Sequence, residues 1–132
     1  MPRLMFLNLP VTDLAASRAF FEDLGFSFDR GCQEEHAVSL IVNETAFVVL
    51  IEREHFAAFV ERPVADAGTE TALTVAISAE SPEAVDRLAD QALAAGATPA
   101  KSPMDYGFMY QRTFHDLDGH LWEILWMDRP PT

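Results

Sequence analysis

The feature that most constrains the fold of this chain is that its pattern of elements is written twice. In the first half an apolar stretch from Leu4 to Leu9 reads as a strand, and Pro10 with Thr12-Asp13 marks a helix entry, either Thr12 or Asp13 serving as N-cap. Apolar residues then follow helical spacing from Leu14 to Leu24, at Leu14, Ala15, Ala19, Phe20 or Phe21, and Leu24, and Gly25 stops the helix. Strands follow at Phe26 to Phe28, Ala37 to Val42 and Ala46 to Ile51, with a turn at Asn43-Glu44 and a short helix over Glu54 to Val60. A connector from Pro63 to Glu70 occupies the midpoint. The second half repeats the order: a strand from Ala72 to Ser78, then a helix entered at Ser81-Pro82. That helix carries Val85, Leu88, Ala89, Ala92 and Leu93 on one face and stops at Gly96. Strands at Thr98 to Ser102, Phe108 to Phe114 and Leu121 to Trp126 complete it, with Asp116-Leu117-Asp118-Gly119 turning between the last two. Aligning the first strands gives an offset of 67 residues. An ordinary α+β sandwich with two similar halves is the alternative; strand order, helix caps and the closing hairpin together favour a true repeat.

Composition narrows the function. The 132 residues suit one domain, 1-132, with repeat one over 3-62 and repeat two over 70-128. A net charge of −12 argues against nucleic acid, where lysine and arginine must neutralise phosphates, and against anionic membrane surfaces. The longest apolar run, Ala46 to Ile51, is far below the ~20 residues that span a bilayer. Asn8, Pro10 and Asp13 interrupt the N-terminal stretch before a signal-type core forms. The one cysteine, Cys32, forms no intramolecular disulfide and has no activating neighbours, so it reads as a bystander thiol. A soluble, cytoplasmic protein is expected.

Two segments carry a specific likeness. Leu9-Pro10-Val11-Thr12-Asp13-Leu14 with Ser17, Phe20-Phe21 and Leu24-Gly25-Phe26 resembles the opening of vicinal-oxygen-chelate proteins, the glyoxalase, bleomycin-resistance and extradiol-dioxygenase superfamily. Phe114-His115-Asp116-Leu117-Asp118-Gly119-His120-Leu121-Trp122-Glu123-Ile124 resembles their closing motif, an Asp-x-Asp-Gly turn followed by a strand bearing Glu. Gly107-Phe108-Met109-Tyr110 and the ending Trp122 to Asp128 are similar to the lactoylglutathione-lyase-like subgroup. The resemblance implies an α+β fold of two tandem βαβββ modules, a curved mixed sheet cupping a pocket, and a homodimer. In metal-dependent members it also implies four His or Glu ligands from the first and last strands of each repeat.

Carried over residue by residue, those ligand positions fall on Phe6, Val48, Leu73 and Glu123. Three hydrocarbons and one carboxylate make a poor metal site, so no metal and no other cofactor is expected. The four histidines do not repair it: His36 and His55 sit near element starts, and His115 and His120 bracket the Asp-Gly turn at the rim or surface. Asp116 and Asp118 lack the remaining ligands of a calcium loop.

Alternation along the last strand puts Leu121, Glu123 and Leu125 on one face, opposite Trp122, Ile124 and Trp126. If the family geometry holds, Glu123 points into the cup beside Phe6, Val48 and Leu73. A carboxylate there has a raised pKa, suiting it to acid or base work, unless a partner such as Gln111 or Arg112 across the hairpin compensates it. Asn8 shares the face of Phe6, and Tyr110 approaches with Tyr106, Phe108 and Met109 as stacking surface or as core and dimer contacts. Phe6, Asn8, Val48, Leu73, Tyr110, Gln111, Arg112 and Leu121 are therefore the expected pocket, with Glu123 the candidate catalytic residue. A metal-independent protein that binds a small organic molecule is the leading reading. A lyase, isomerase or dioxygenase-like enzyme using Glu123 as base or residual metal ligand, and a structural or regulatory dimer with a filled pocket, are the alternatives.

Overall fold

In the computed structural model residues 1–31 and 35–131 are described, so Cys32 and Thr132 lie outside the described residues. The chain divides into two compact units, Met1–Ala65 and Asp66–Thr132.

The first unit runs β1 (Met5–Val11), α1 (Leu14–Asp23), β2 (Ser27–Phe28), β3 (Ala37–Ile41), β4 (Ala46–Glu52) and α2 (Arg53–Ala57). Its sheet has the order β1-β4-β3-β2, with β1 parallel to β4 and the remaining pairs antiparallel. The Asp13 side chain accepts from the Ala16 N–H and caps α1. Asn43 Oδ1 accepts from the N–H groups of Thr45 and Ala46, which closes the turn between β3 and β4. Pairing of Leu7 with Val48 and of Leu9 with Leu50 stacks aliphatic side chains on one face. Val38 and Leu40 of β3 extend that face, and Phe20 and Phe21 of α1 complete the core. Burying those side chains is the main favourable term holding the unit together.

The second unit runs β5 (Thr74–Ser78), α3 (Pro82–Ala94), β6 (Thr98–Pro99), β7 (Met104–Asp105), β8 (Met109–His115) and β9 (Leu121–Met127). Its order, β5-β9-β8-β6 with β5 parallel to β9, reproduces that of the first unit, and β7 pairs with the far end of β8. Ser81 accepts from the Ala84 N–H and Pro82 occupies the first turn of α3, where its missing N–H costs nothing. Val85, Ala89 and Ala92 form the buried stripe of α3 against Phe114, Trp122 and Ile124.

The expected strand from Thr98 to Ser102 is two short ones. Pro99 and Pro103 have no N–H to give the ladder, and the Lys101 N–H is taken by Thr113 Oγ1 at 2.8 Å. The alternation of β8 therefore pairs with β6 at one end and β7 at the other.

Candidate functional site

Each sheet has a helix-covered face and an opposite face, and strand alternation decides which residues reach the latter. In β9, Trp122 and Ile124 are fully buried under α3, leaving Leu121, Glu123 and Leu125 half-buried on the opposite face. Thr74, Ala76 and Ser78 of β5 lie beside them in register. Thr113 of β8 is directly opposite Glu123, and Gln111 opposite Leu125.

Glu123 is held at both oxygens. Gln111 Nε2 donates to Oε1 at 2.8 Å, and Thr74 Oγ1 donates to Oε2 at 2.9 Å. Gln111 is one of the two cross-strand partners the hairpin suggested; Thr74, 49 residues away in sequence, had no local signature. Arg112 is not a partner, because it lies one residue out of phase on the helix face. There its Nη1 donates to Asp86 Oδ1 at 3.1 Å and to Asp90 Oδ1 at 2.8 Å. Tyr110 shares that face and donates to Asp86 Oδ1 at 2.6 Å. Three consecutive strand residues cannot face one way, so assigning Tyr110, Gln111 and Arg112 to one pocket was an error of alternation: Gln111 alone lies on the Glu123 face. The Tyr110 hydroxyl, followed by Arg112, holds the Asp86 carboxyl below its ordinary range against the opposing effect of burial.

In the first unit Phe6 is 56% exposed and Asn8 is exposed on the same face of β1, with the Phe6 and Phe47 rings stacked at 5.2 Å. Val48 is not on that face. It is 3% exposed, in register with Leu7 and Leu40 in the core, and its neighbours Phe47 and Val49 take the opposite side. Leu73 also needs correction: it precedes β5 and is 45% exposed, and Thr74 is the residue on the Glu123 face. Leu73 follows from the 67-residue offset of the first strands, and Val48 from matching the Asn43-Glu44 turn to Asp118-Gly119; each is one residue out of register. The N-caps Asp13 and Ser81 are 68 residues apart, and that offset matches Phe6 to Thr74 and Asn8 to Ala76. Since Asn8 pairs with Val49 and Ala76 with Glu123, Val49 is the counterpart of Glu123.

The positions onto which the resemblance carries the four metal ligands are thus Phe6 and Val49 of the first unit and Thr74 and Glu123 of the second. Two offer no donor, one offers a neutral hydroxyl, and the one carboxylate already accepts at both oxygens. This set does not fit a divalent ion, which needs several oxygen or nitrogen ligands. Among the described residues no group of three His, Cys, Asp or Glu side chains is placed to hold one.

Sequence reasoning passed over two features. His36 Nδ1 donates to Glu52 at 3.0 Å, and the His36 and His55 rings lie 5.0 Å apart beside a cavity of about 230 Å³ lined also by Glu54 and Ala58. The β3–β4 hairpin carried the signal, since pairing Ala37 with Ile51 brings the residues just outside them together. The Glu52 carboxylate raises the His36 pKa. His120, expected at the rim, is buried, as is Asp116, whose Oδ1 accepts from the N–H groups of Asp118 and His120 and whose Oδ2 accepts from Trp122 Nε1. Tyr106 and Phe108 are exposed and stack on each other at 6.1 Å.

Residues 3–43 match the family model described as bleomycin resistance protein-like N-terminal. No curated protein matches the chain. A hypothetical protein from S. aureus is 28% identical over 95% of this chain and 94% of its own, with a TM-score of 0.80. A glyoxalase/bleomycin resistance protein/dioxygenase family enzyme from Burkholderia phytofirmans PsJN is 22% identical over 96% of this chain and 99% of its own, TM-score 0.78. A genomically encoded fosfomycin resistance protein from Listeria monocytogenes is 19% identical over 96% and 93%, TM-score 0.67. The opening segment of the chain thus matches that family model, and the doubled mixed-sheet topology is shared with structures of glyoxalase/bleomycin resistance/dioxygenase proteins.

Proposed function

We propose that the chain is a metal-independent, small-molecule-binding protein, and that its ligand contacts the sheet face of the second unit that bears Thr74, Gln111, Leu121 and Glu123. One observation carries this reading: the one carboxylate among the four positions onto which the resemblance carries metal ligands is engaged by Gln111 and Thr74, while Phe6 and Val49 offer only hydrocarbon. Apolar surface with a few fixed polar groups is the ordinary chemistry of a small-molecule site. The Listeria neighbour, a fosfomycin resistance protein, is named for resistance to a small molecule. A lyase, isomerase or dioxygenase role would need Glu123 free as a base or metal ligand, and its two hydrogen bonds do not favour that. On this reading the protein is a cytoplasmic homodimer; the exposed apolar side chains Met5 and Phe6 support the pairing of two copies.

Elemental analysis of protein purified without a metal-affinity tag, followed by melting with Ni²⁺, Co²⁺, Zn²⁺, Mn²⁺ and Fe²⁺ added separately, tests it. The expected result is no stoichiometric metal and no melting shift. Stoichiometric metal, or a shift abolished by Glu123→Gln, would overturn the proposal and restore a metal-dependent enzyme. Sedimentation at micromolar concentration checks the dimer.

A further inference from the structure

Glu123 stands between Leu121 and Leu125 on β9, with Ala76 alongside. Nearby basic side chains are directed elsewhere. Arg112 is turned to Asp86 and Asp90, and His115, on the Glu123 face of β8, donates from Nδ1 to the Gly119 carbonyl at 3.2 Å. Among the described residues no lysine, arginine or histidine is ion-paired with Glu123. Its two partners are neutral, and both have turned a donor inward to reach it. What remains on offer is mainly acceptors: a second lone pair on each Glu123 oxygen, Gln111 Oε1 and the Thr74 hydroxyl oxygen, against one unused N–H on Gln111. Thr113 does not change that balance, since its hydroxyl is engaged with the backbone of Lys101.

From this juxtaposition we propose that the ligand carries a cationic nitrogen, an ammonium or guanidinium group attached to an apolar body, which seats on Glu123 while the body covers Leu121 and Leu125. The proposal rests on the binding reading above. A neutral apolar ligand on the two leucines would strip water from the carboxylate and leave the charge with two neutral hydrogen bonds, which is costly. A cationic nitrogen supplies donors and the opposite charge together, and such charge-assisted bonds are stronger than neutral ones. An anion is repelled. Gln111 and Thr74 already hold the carboxylate in place, so little ordering is left for the ligand to impose.

The test uses three probes sharing one ring system: 1-naphthylmethylamine, 1-naphthalenemethanol and 1-naphthoate. Each is titrated into the full chain while the methyl NMR signals of Leu121 and Leu125 are followed. The amine is expected to bind at least about tenfold more tightly than the alcohol, and the naphthoate most weakly. In Glu123→Gln the amine and alcohol should become nearly equal. That variant leaves all other charges in place, so an amine preference kept in it would reflect only the general acidity of the chain and would overturn the inference. Equal binding of amine and alcohol to the wild type would overturn it too, leaving the binding reading intact. No movement of either leucine with any probe would overturn both. If Glu123→Gln fails to fold, Glu123→Ala takes its place as the control for general acidity, with the same outcomes, and equal binding of amine and alcohol to the wild type overturns the inference in either case.

Discussion

At the scale of single residues, two glycines in unusual backbone conformations separate strain from contact. Gly25 has φ +97° with open space where a Cβ would stand; Gly119 has φ +92°, and its Cβ would stand 2.7 Å from the Ala67 carbonyl oxygen and 2.8 Å from Gly68 Cα. Both pay the left-handed penalty on substitution, but only Gly119 also meets backbone that cannot swing aside. Gly25→Ala should cost about 1–2 kcal/mol and Gly119→Ala about 2–5 kcal/mol, read by urea denaturation. Equal costs would mean that the 66–69 turn yields freely. Asp116 tests a different principle. Burial pushes its carboxyl pKa up even though His120, the Trp122 indole N–H and the backbone N–H groups of Asp118 and His120 all act to lower it. A folded-state pKa above the ordinary 3.8 means that the folded form binds the proton more readily. This group's contribution to stability is therefore full below the ordinary value and falls as pH rises through the folded one. Asp116→Asn should remove that fall. It also puts an amide N–H₂ against either the Trp122 indole N–H or the two backbone N–H groups of Asp118 and His120, lowering stability by about 1–3 kcal/mol. A variant as stable as wild type would refute the assignment.

At the scale of elements, α3 is pinned to β8 by Asp86 and Asp90 reaching Arg112 and by Tyr110 reaching Asp86. The lowered Asp86 pKa has the opposite linkage to Asp116: stabilisation is present above the ordinary aspartate value and is lost as pH falls through the lower folded value. Arg112→Met and Tyr110→Phe should each flatten the acid limb of a stability-against-pH curve, by less than about 1 kcal/mol because both aspartates are solvent-exposed. An unchanged acid limb would show the network to be idle. The same strand shows what the sequence could tell. In β9 polar Glu123 sits between buried Trp122 and Ile124, so alternation was legible and put Glu123 on its face from sequence alone. In β4 the run from Ala46 to Ile51 is apolar on both faces, so period two is silent and Val48 could not be told from Val49. The helix caps at Asp13 and Ser81 held the true offset; the first strands, matched by hydrophobicity, slipped by one. Caps are fixed by single hydrogen bonds, and apolar strands by nothing so local. The bond from Thr74 to Glu123 spans the second unit and could come only from its fold.

At the scale of the whole molecule, 21 acidic residues stand against 9 basic ones. Lys or Arg forms ion pairs with Glu22, Asp86 and Asp90 among those carboxylates. The remaining excess repels itself through solvent and raises the free energy of the compact state. Added salt screens this repulsion, with a Debye length of about 8 Å at 0.15 M, and it also weakens the few attractive pairs. The two effects have opposite signs, and the counts decide between them: a net charge of −12 makes repulsion the larger sum. Moving from ~10 mM to 150 mM NaCl should stabilise the folded chain by about 1 kcal/mol, a rise of about 3–5 °C in Tm for a chain this long. KCl at equal ionic strength should give the same rise, because screening depends on charge and concentration and not on which monovalent cation supplies it. A flat or falling Tm would mean that attractive pairs outweigh the excess, and the dispersed acidity would then be structural organisation and not a solvated exterior. The amine preference assigned to Glu123 should shrink over the same salt range even as the fold gains stability, since there a single local attraction is being screened.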